Sequence, residues 1–173
     1  AVRRINVTGN AGSGKSTLAR LLSQELGLPL IEMDRIVWNP GWQPVGLEER
    51  LARLQPRLDS PGWILDGVSR EGRQQADLVI FLDIPLWTCL WRCLKRSWKY
   101  RSRQRPGLPR DCPEWRIFLR MLRILLQFPS RTRSAILRDL RPERSLLYRC
   151  SPSFEELRRL LEQLKLGATQ TWR

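Results

Sequence analysis

The amino-acid sequence predicts an α/β fold in which helices cover both faces of a parallel sheet. Near its start, a short apolar stretch holding Ile5 and Val7 runs into a glycine-rich loop. A helical pattern follows, with Leu18, Leu21, Leu22 and Leu26 on one face. Short apolar runs then alternate with amphipathic ones, the pattern of parallel strands joined by helical crossovers. Leu78-Val79-Ile80-Phe81-Leu82 is apolar without alternation, as a strand buried on both faces requires.

The first unit reads as a strand over about Arg4–Val7, a loop, and a helix from Ser16 to about Leu26. The loop spells G-x-x-x-x-G-K-S through Gly9, Gly14, Lys15 and Ser16, a complete phosphate-binding loop. Glycines let the backbone curl and point successive N–H groups inward, and the following helix N-terminus adds partial positive charge. Gly9, Asn10, Ala11, Gly12, Ser13, Gly14, Lys15, Ser16 and Thr17 are therefore expected to cradle a nucleotide triphosphate. Lys15 is expected on the β- and γ-phosphates, and the Ser16 hydroxyl on Mg²⁺.

Gly27 is placed to end the helix as a left-handed cap, with Pro29 blocking its continuation. Leu30–Asp34 reads as a short second strand with Asp34 at its C-terminal end, where ligands of open α/β sheets gather. Arg35–Gly46 is a loop rich in Trp, Pro and Gly, its Trp38 and Trp42 either walling a substrate or packing on each other. Leu47–Leu58 is amphipathic, and Pro56 is expected to kink or end that helix. Trp63–Gly67 forms a third strand ending in Asp66, with Arg70 just beyond it. The Leu78–Asp83 strand leads through Pro85 into a helix from Leu86 to about Tyr100. Residues 101–113 lack apolar periodicity and read as an arginine-rich lid. Helices are expected over Glu114–Gln127 and, after a break at Pro129, over Arg131–Leu140. A fifth strand is expected at Ser145–Tyr148. A last helix spans Ser153–Leu164, with Ser153 and Glu156 forming a capping box, and the tail from 167 to 173 is expected to fray.

At 173 residues the chain is expected to form one domain, residues 1–173. No run of about 18 apolar residues suggests a membrane span, and the immediate entry into a strand predicts no signal peptide. Cys89, Cys93, Cys112 and Cys150 lack C-x-x-C spacing and the chain has no histidine, which argues against zinc and for reduced thiols in a cytoplasmic protein. Cys89 and Cys93, one helical turn apart, read as core packing. Without histidine, any acid–base step falls to a carboxylate, which suits phosphoryl transfer. Of the net charge of +14, the segment Leu86–Arg141 supplies +12, from fifteen Arg and Lys residues against Asp111, Glu114 and Asp139.

Several motifs together resemble the adenylate-kinase-like P-loop kinases. G-N-A-G-S-G-K-S-T is similar to their phosphate loop, and W-I-L-D-G-V-S-R (Trp63–Arg70) to their L-D-G-F-P-R segment. Ala76–Pro85 resembles the strand that leads to their lid helix, and W-R-C-L-K-R (Trp91–Arg96) their lid hinge. Within the group, D-x-x-x-W-x-P-G-W (Asp34–Trp42), R-x-R-P-G (Arg103–Gly107) and C-P-E (Cys112–Glu114) resemble the small bacterial chains known as DNA topology modulation proteins. The resemblance implies a three-layer α/β/α P-loop fold with a five-stranded parallel sheet in the order 2-3-1-4-5 and an arginine-rich lid. It further implies ATP and Mg²⁺ as cofactors, with Asp66 joining Ser16 at the metal. Arg70 would grip an acceptor phosphate, and Arg92 and Arg96 would neutralise the transferring group beside Lys15. Asp34 would contact an acceptor hydroxyl, with Arg35, Trp38, Asp66 and Gly67 beside it in the acceptor site. Val68-Ser69 replaces the family's Phe-Pro, and about thirty residues between Asp34 and Asp66 are few for a nucleoside-monophosphate insert, so a compact acceptor is expected rather than AMP.

Two function classes follow. One is a kinase passing the γ-phosphoryl of ATP to a small acceptor, a nucleotide or nucleoside among them. The alternative is a nucleic-acid-binding protein using ATP as a switch, in which the basic segment 86–141, interleaved with Trp91, Trp98, Tyr100 and Trp115, contacts phosphates and stacks on bases. A GTPase-like switch is disfavoured, since no N-K-x-D guanine-reading motif is present.

Overall fold

The structure, a computed structural model, describes residues 2–100 and 114–167, the side chains of 114 and 115 excepted. The lid expected over 101–113, with its R-x-R-P-G motif and Cys112, lies outside the described residues, as does the tail beyond 167.

In chain order the elements are β1 (Arg4–Gly9), α1 (Lys15–Leu26), β2 (Leu30–Glu32), α2 (Met33–Val37), β3 (Trp38–Asn39), β4 (Gln43–Pro44) and α3 (Leu47–Leu58). They continue as β5 (Trp63–Asp66), α4 (Arg70–Gln75), β6 (Leu78–Leu82), α5 (Leu86–Lys99), α6 (Glu114–Asp139), β7 (Ser145–Tyr148) and α7 (Phe154–Lys165). Strands β2-β5-β1-β6-β7 form one parallel sheet; counted within it alone, their order is the expected 2-3-1-4-5.

Strand alternation distributes the core. Ile5, Val7, Ile64, Leu78, Ile80 and Leu82 face α1 and α7, where they meet Leu18, Leu22, Leu160 and Leu164. On the other face Leu65 and Val79 meet Ile36, Leu54 and Leu58, while Phe81 packs with Phe128 and Ile136 of α6. All five β6 side chains are buried, which is why that run shows no polar alternation. A buried Arg73, paired with Asp139 at 2.8 Å, joins α4 to the end of α6. The Cys89 thiol sits in the core, and its burial and the neighbouring Cys93 push it up to about 11, so it stays protonated and inert.

Two expectations are corrected. The second strand stops at Glu32, and Asp34 belongs to the first turn of α2 rather than to a strand end. Met33 and Ile36 draw that segment into the core as a helical turn. The helix over Leu47–Leu58 has its expected bounds and carries Pro56 in its last turn. Pro129 does not break the next helix: α6 runs unbroken from Glu114 to Asp139, anchored on both sides of the proline by Phe128 and Ile136 against Phe81. The loop after α2 folds as a short hairpin, β3 with β4 joined through Pro40–Trp42, whose Trp38 and Trp42 rings meet edge to face at 5.4 Å. Gly27 caps α1 at φ 63°, and Ser153 and Glu156 form the capping box of α7.

Candidate functional site

The parallel register brings the ends of the three central strands together. Gly9 ends β1 beside Leu82 of β6, and Val7 lies opposite Asp66 of β5. The loop from Gly9 to Gly14 leaves β1 at that edge. Gly14, left-handed at φ 94°, turns the chain into α1, which starts at Lys15. The Asn10 carbonyl accepts from Ser13 N at 3.2 Å and from Lys15 Nζ at 3.4 Å.

Two glycines hold the walls close. A Cβ on Gly12 would lie 2.5 Å from the Cys89 carbonyl oxygen, so α5 backbone rests directly on the loop. That contact brings Arg92 within 3.4 Å of the Gly12 and Ser13 carbonyls, and its other nitrogen donates to Ser151 Oγ at 2.8 Å. A Cβ on Gly67 would lie 2.6 Å from Met33 Cβ, which lets α2 and Asp34 close on the end of β5. Buried Asn6 clamps the same corner by donating to the Leu65 and Gly67 carbonyls at 3.1 Å each.

The result is a cleft of about 340 Å³. It is lined by Gly12, Gly14, Lys15, Ser16 and Thr17 of the loop and first turn of α1, together with Asp34, Asp66, Arg92 and Arg96. Asp66 is buried, and burial raises its carboxyl above the ordinary value. Lys15 and a hydrogen bond from Ser16 pull the other way. Its Oδ1 has no hydrogen-bond partner among the described residues. A buried carboxylate oxygen with spare lone pairs, beside a serine hydroxyl, suits a hard cation that keeps several waters and takes its other ligands from phosphate.

Not every predicted residue reaches the cleft. Arg35 points outward and pairs with Glu32 at 2.8 Å. Trp38 is buried with Trp42 and Ile117, and Arg120 stands over its ring at 4.7 Å. Arg70 opens α4 and is exposed, away from the cleft lining. Gly67 contributes through its backbone position.

Arg20, Glu32 and Tyr100 line the cleft and were not anticipated. The signal was present in the spacing. Arg20 lies one helical turn past Ser16, and Tyr100 one turn past Arg96, which is itself one turn past Arg92. Arg20 donates to Glu32 at 3.0 Å, so Glu32 carries two arginines at the rim.

No protein-family model matches the chain. A sugar kinase from Janibacter, solved unliganded, superposes with a TM-score of 0.56 at 20% identity, covering 96% of each chain. A shikimate kinase from Acinetobacter baumannii, solved with shikimate, gives a TM-score of 0.54 at 19% identity, over 96% of this chain and 94% of that one. This chain has the fold of the P-loop kinases. In sequence, an adenylate kinase of Gloeobacter violaceus is 31% identical over a match spanning 49% of this chain and 54% of that protein. The chain thus spans about half the length of that curated relative.

Proposed function

We propose that this protein is a phosphotransferase that moves the γ-phosphoryl of ATP, with Mg²⁺, onto a hydroxyl of a small compact acceptor. The observation that carries the reading is the convergence of Lys15, Asp34, Asp66, Arg92 and Arg96 on one cleft at the strand ends. A phosphate loop alone is common to many nucleotide-binding proteins. A second carboxylate and two guanidinium groups around the same cavity are what a transfer reaction adds.

In this reading the loop amides and Lys15 hold the β- and γ-phosphates. Ser16 and Asp66 would hold Mg²⁺, which when bound neutralises phosphate charge. Asp34 accepts the proton of the acceptor hydroxyl as its oxygen bonds to the γ-phosphorus. The bond from that phosphorus to the β–γ bridging oxygen breaks, and ADP leaves with the electron pair. Arg92 and Arg96 spread the charge on the transferring group. A second cavity of about 360 Å³ flanks the loop between Leu18, Leu21, Arg92, Pro152 and Leu157, and its apolar walls suit the nucleobase. Sugar, shikimate and adenylate kinases among the similar proteins support the class of reaction.

The test is ATP consumption with Mg²⁺ across hydroxylated metabolites, nucleosides and nucleotides. An acceptor-dependent rate that falls about 100-fold or more in Asp34→Asn is expected. A rate indifferent to every acceptor and to Asp34 would sink the reading.

A second reading has its own observation. Trp87, Trp91 and Trp98 stand 78%, 59% and 75% exposed along one face of α5, with Lys95 Nζ 5.3 Å from the Trp91 ring. No acidic residue interrupts that helix. We therefore also propose that this face stacks on single-stranded nucleic acid, in line with the resemblance to topology modulation proteins. Binding of single-stranded DNA that survives physiological salt and drops about tenfold in Trp91→Ala is expected. Binding lost at that salt would mark bare charge attraction and end this second reading.

A further inference from the structure

In an α-helix the carbonyl of residue i accepts from the amide of residue i+4. The partner of the Leu125 carbonyl would be residue 129, which is proline and has no N–H. Leu125 is 1% exposed, so water does not supply the missing donor, and a carbonyl left unpaired there is costly. The donor comes from the phosphate loop instead: Asn10 Nδ2 reaches the Leu125 oxygen at 3.1 Å. Asn10 is itself buried, and its Oδ1 accepts from Ala11 N at 2.8 Å. The carbonyl needs a donor and the amide an acceptor, so these two partners settle which way the Asn10 side chain points.

The two halves of Asn10 thus have different tasks. Its side chain is tied to α6, while its main-chain carbonyl holds Ser13 N and Lys15 Nζ in the loop. We propose that Asn10 is a positioning residue that sets the geometry of the phosphate loop by binding the carbonyl that Pro129 leaves open on α6. The inference rests on ATP binding at that loop. It also gives the unbroken passage of α6 through Pro129 a purpose beyond packing. The same helix carries Ile117 and Met121 against Trp38 and Trp42, and Arg120 over the Trp38 ring. One helix therefore braces both the phosphate loop and the hairpin that follows Asp34.

Pro129→Ala separates positioning from mere stability. It returns an amide to the helix, so Leu125 regains a partner whether or not Asn10 is present. The experiment measures the MgATP dissociation constant, and the melting temperature without nucleotide, for wild type, Asn10→Ala, Asn10→Ala/Pro129→Ala and Lys15→Ala. Asn10→Ala is expected to bind MgATP about tenfold more weakly and to melt lower. The double variant is expected to regain the melting temperature while keeping the weakened binding. Affinity that returns together with the melting temperature would reduce Asn10 to a structural part and overturn the proposal. Asn10→Ala binding like wild type while Lys15→Ala does not would overturn it alone. A wild-type protein that binds no MgATP would overturn the kinase reading and this inference with it.

Discussion

Lys15→Ala is expected to lower phosphoryl transfer by about 1,000-fold or more and to weaken MgATP binding about 100-fold. Lys15 leads α1 at the mouth of the loop, its ammonium 3.4 Å from the Asn10 carbonyl and inside the cleft shared with both aspartates. Removing it leaves the phosphates to amide dipoles and to Arg92 and Arg96. A second loss follows through Asp66. Lys15 is the strongest influence holding that buried carboxyl down. Without it, burial pushes the carboxyl further up and the metal-binding form becomes scarcer. Transfer in Lys15→Ala is therefore expected to recover partially as pH rises, with its rate–pH profile displaced upward from that of the wild type. Direct calorimetry of MgATP binding and a rate–pH profile check both parts. A variant that keeps wild-type affinity would remove the phosphate loop from the mechanism.

Asp66→Asn is expected to abolish Mg²⁺-supported transfer, again by about 1,000-fold, while making the nucleotide-free protein more stable. The two effects share one cause. The folded protein buries Asp66 where the charged form is disfavoured, so its carboxyl titrates above the ordinary value of 3.8. Folding is therefore favoured by the protonated form. That contribution is complete below the unfolded value and is lost as pH rises through the folded one. At neutral pH the charged carboxylate costs stability, and an amide that carries no charge relieves it. The gain is on the order of 1 kcal/mol, or about 2–4 °C for a chain of this size. It should shrink as pH falls and vanish below the ordinary carboxyl value of 3.8, where the group is neutral in both states. Thermal melts of both proteins across that range test the sign, and a variant that melts lower at neutral pH would refute the argument. Adding MgATP should reverse the order, because only the wild type gains from binding.

The glycine-rich loop at one end of the cleft is legible in the sequence. The spacing of Gly9, Gly14, Lys15 and Ser16 is a local pattern. Its meaning depends on backbone freedom and helix polarity over a dozen residues. The strands were legible for a similar reason, since burial on both faces writes itself into β6 as an unbroken apolar run. Arg92 and Arg96 both line the cleft because one helical turn separates them, and the same spacing brings Tyr100 and Arg20 to it.

The side of the cleft that holds Asp34 was less legible. Asp34 was placed at a strand end, yet it stands in a helical turn whose position depends on Gly67 leaving room for Met33, thirty-four residues earlier. Trp38 and Arg70 looked equally suited to a substrate. Their fates were decided by Trp42, Ile117 and the direction in which α4 leaves Ser69. Pro129 read as a break because local rules see only its missing donor. Phe81, on a strand nearly fifty residues away, supplies the anchor that carries the helix through.

By itself, then, the sequence determined the phosphate loop, the parallel α/β class and the five strands of its sheet. Each of these follows from periodicity and backbone chemistry within a short window. Only the tertiary structure decided which carboxylates and arginines share a cavity, and which proline leaves a carbonyl for Asn10 to bind. Those contacts join segments tens of residues apart, and their energies come from close packing and the pairing of buried polar groups, which no local window contains.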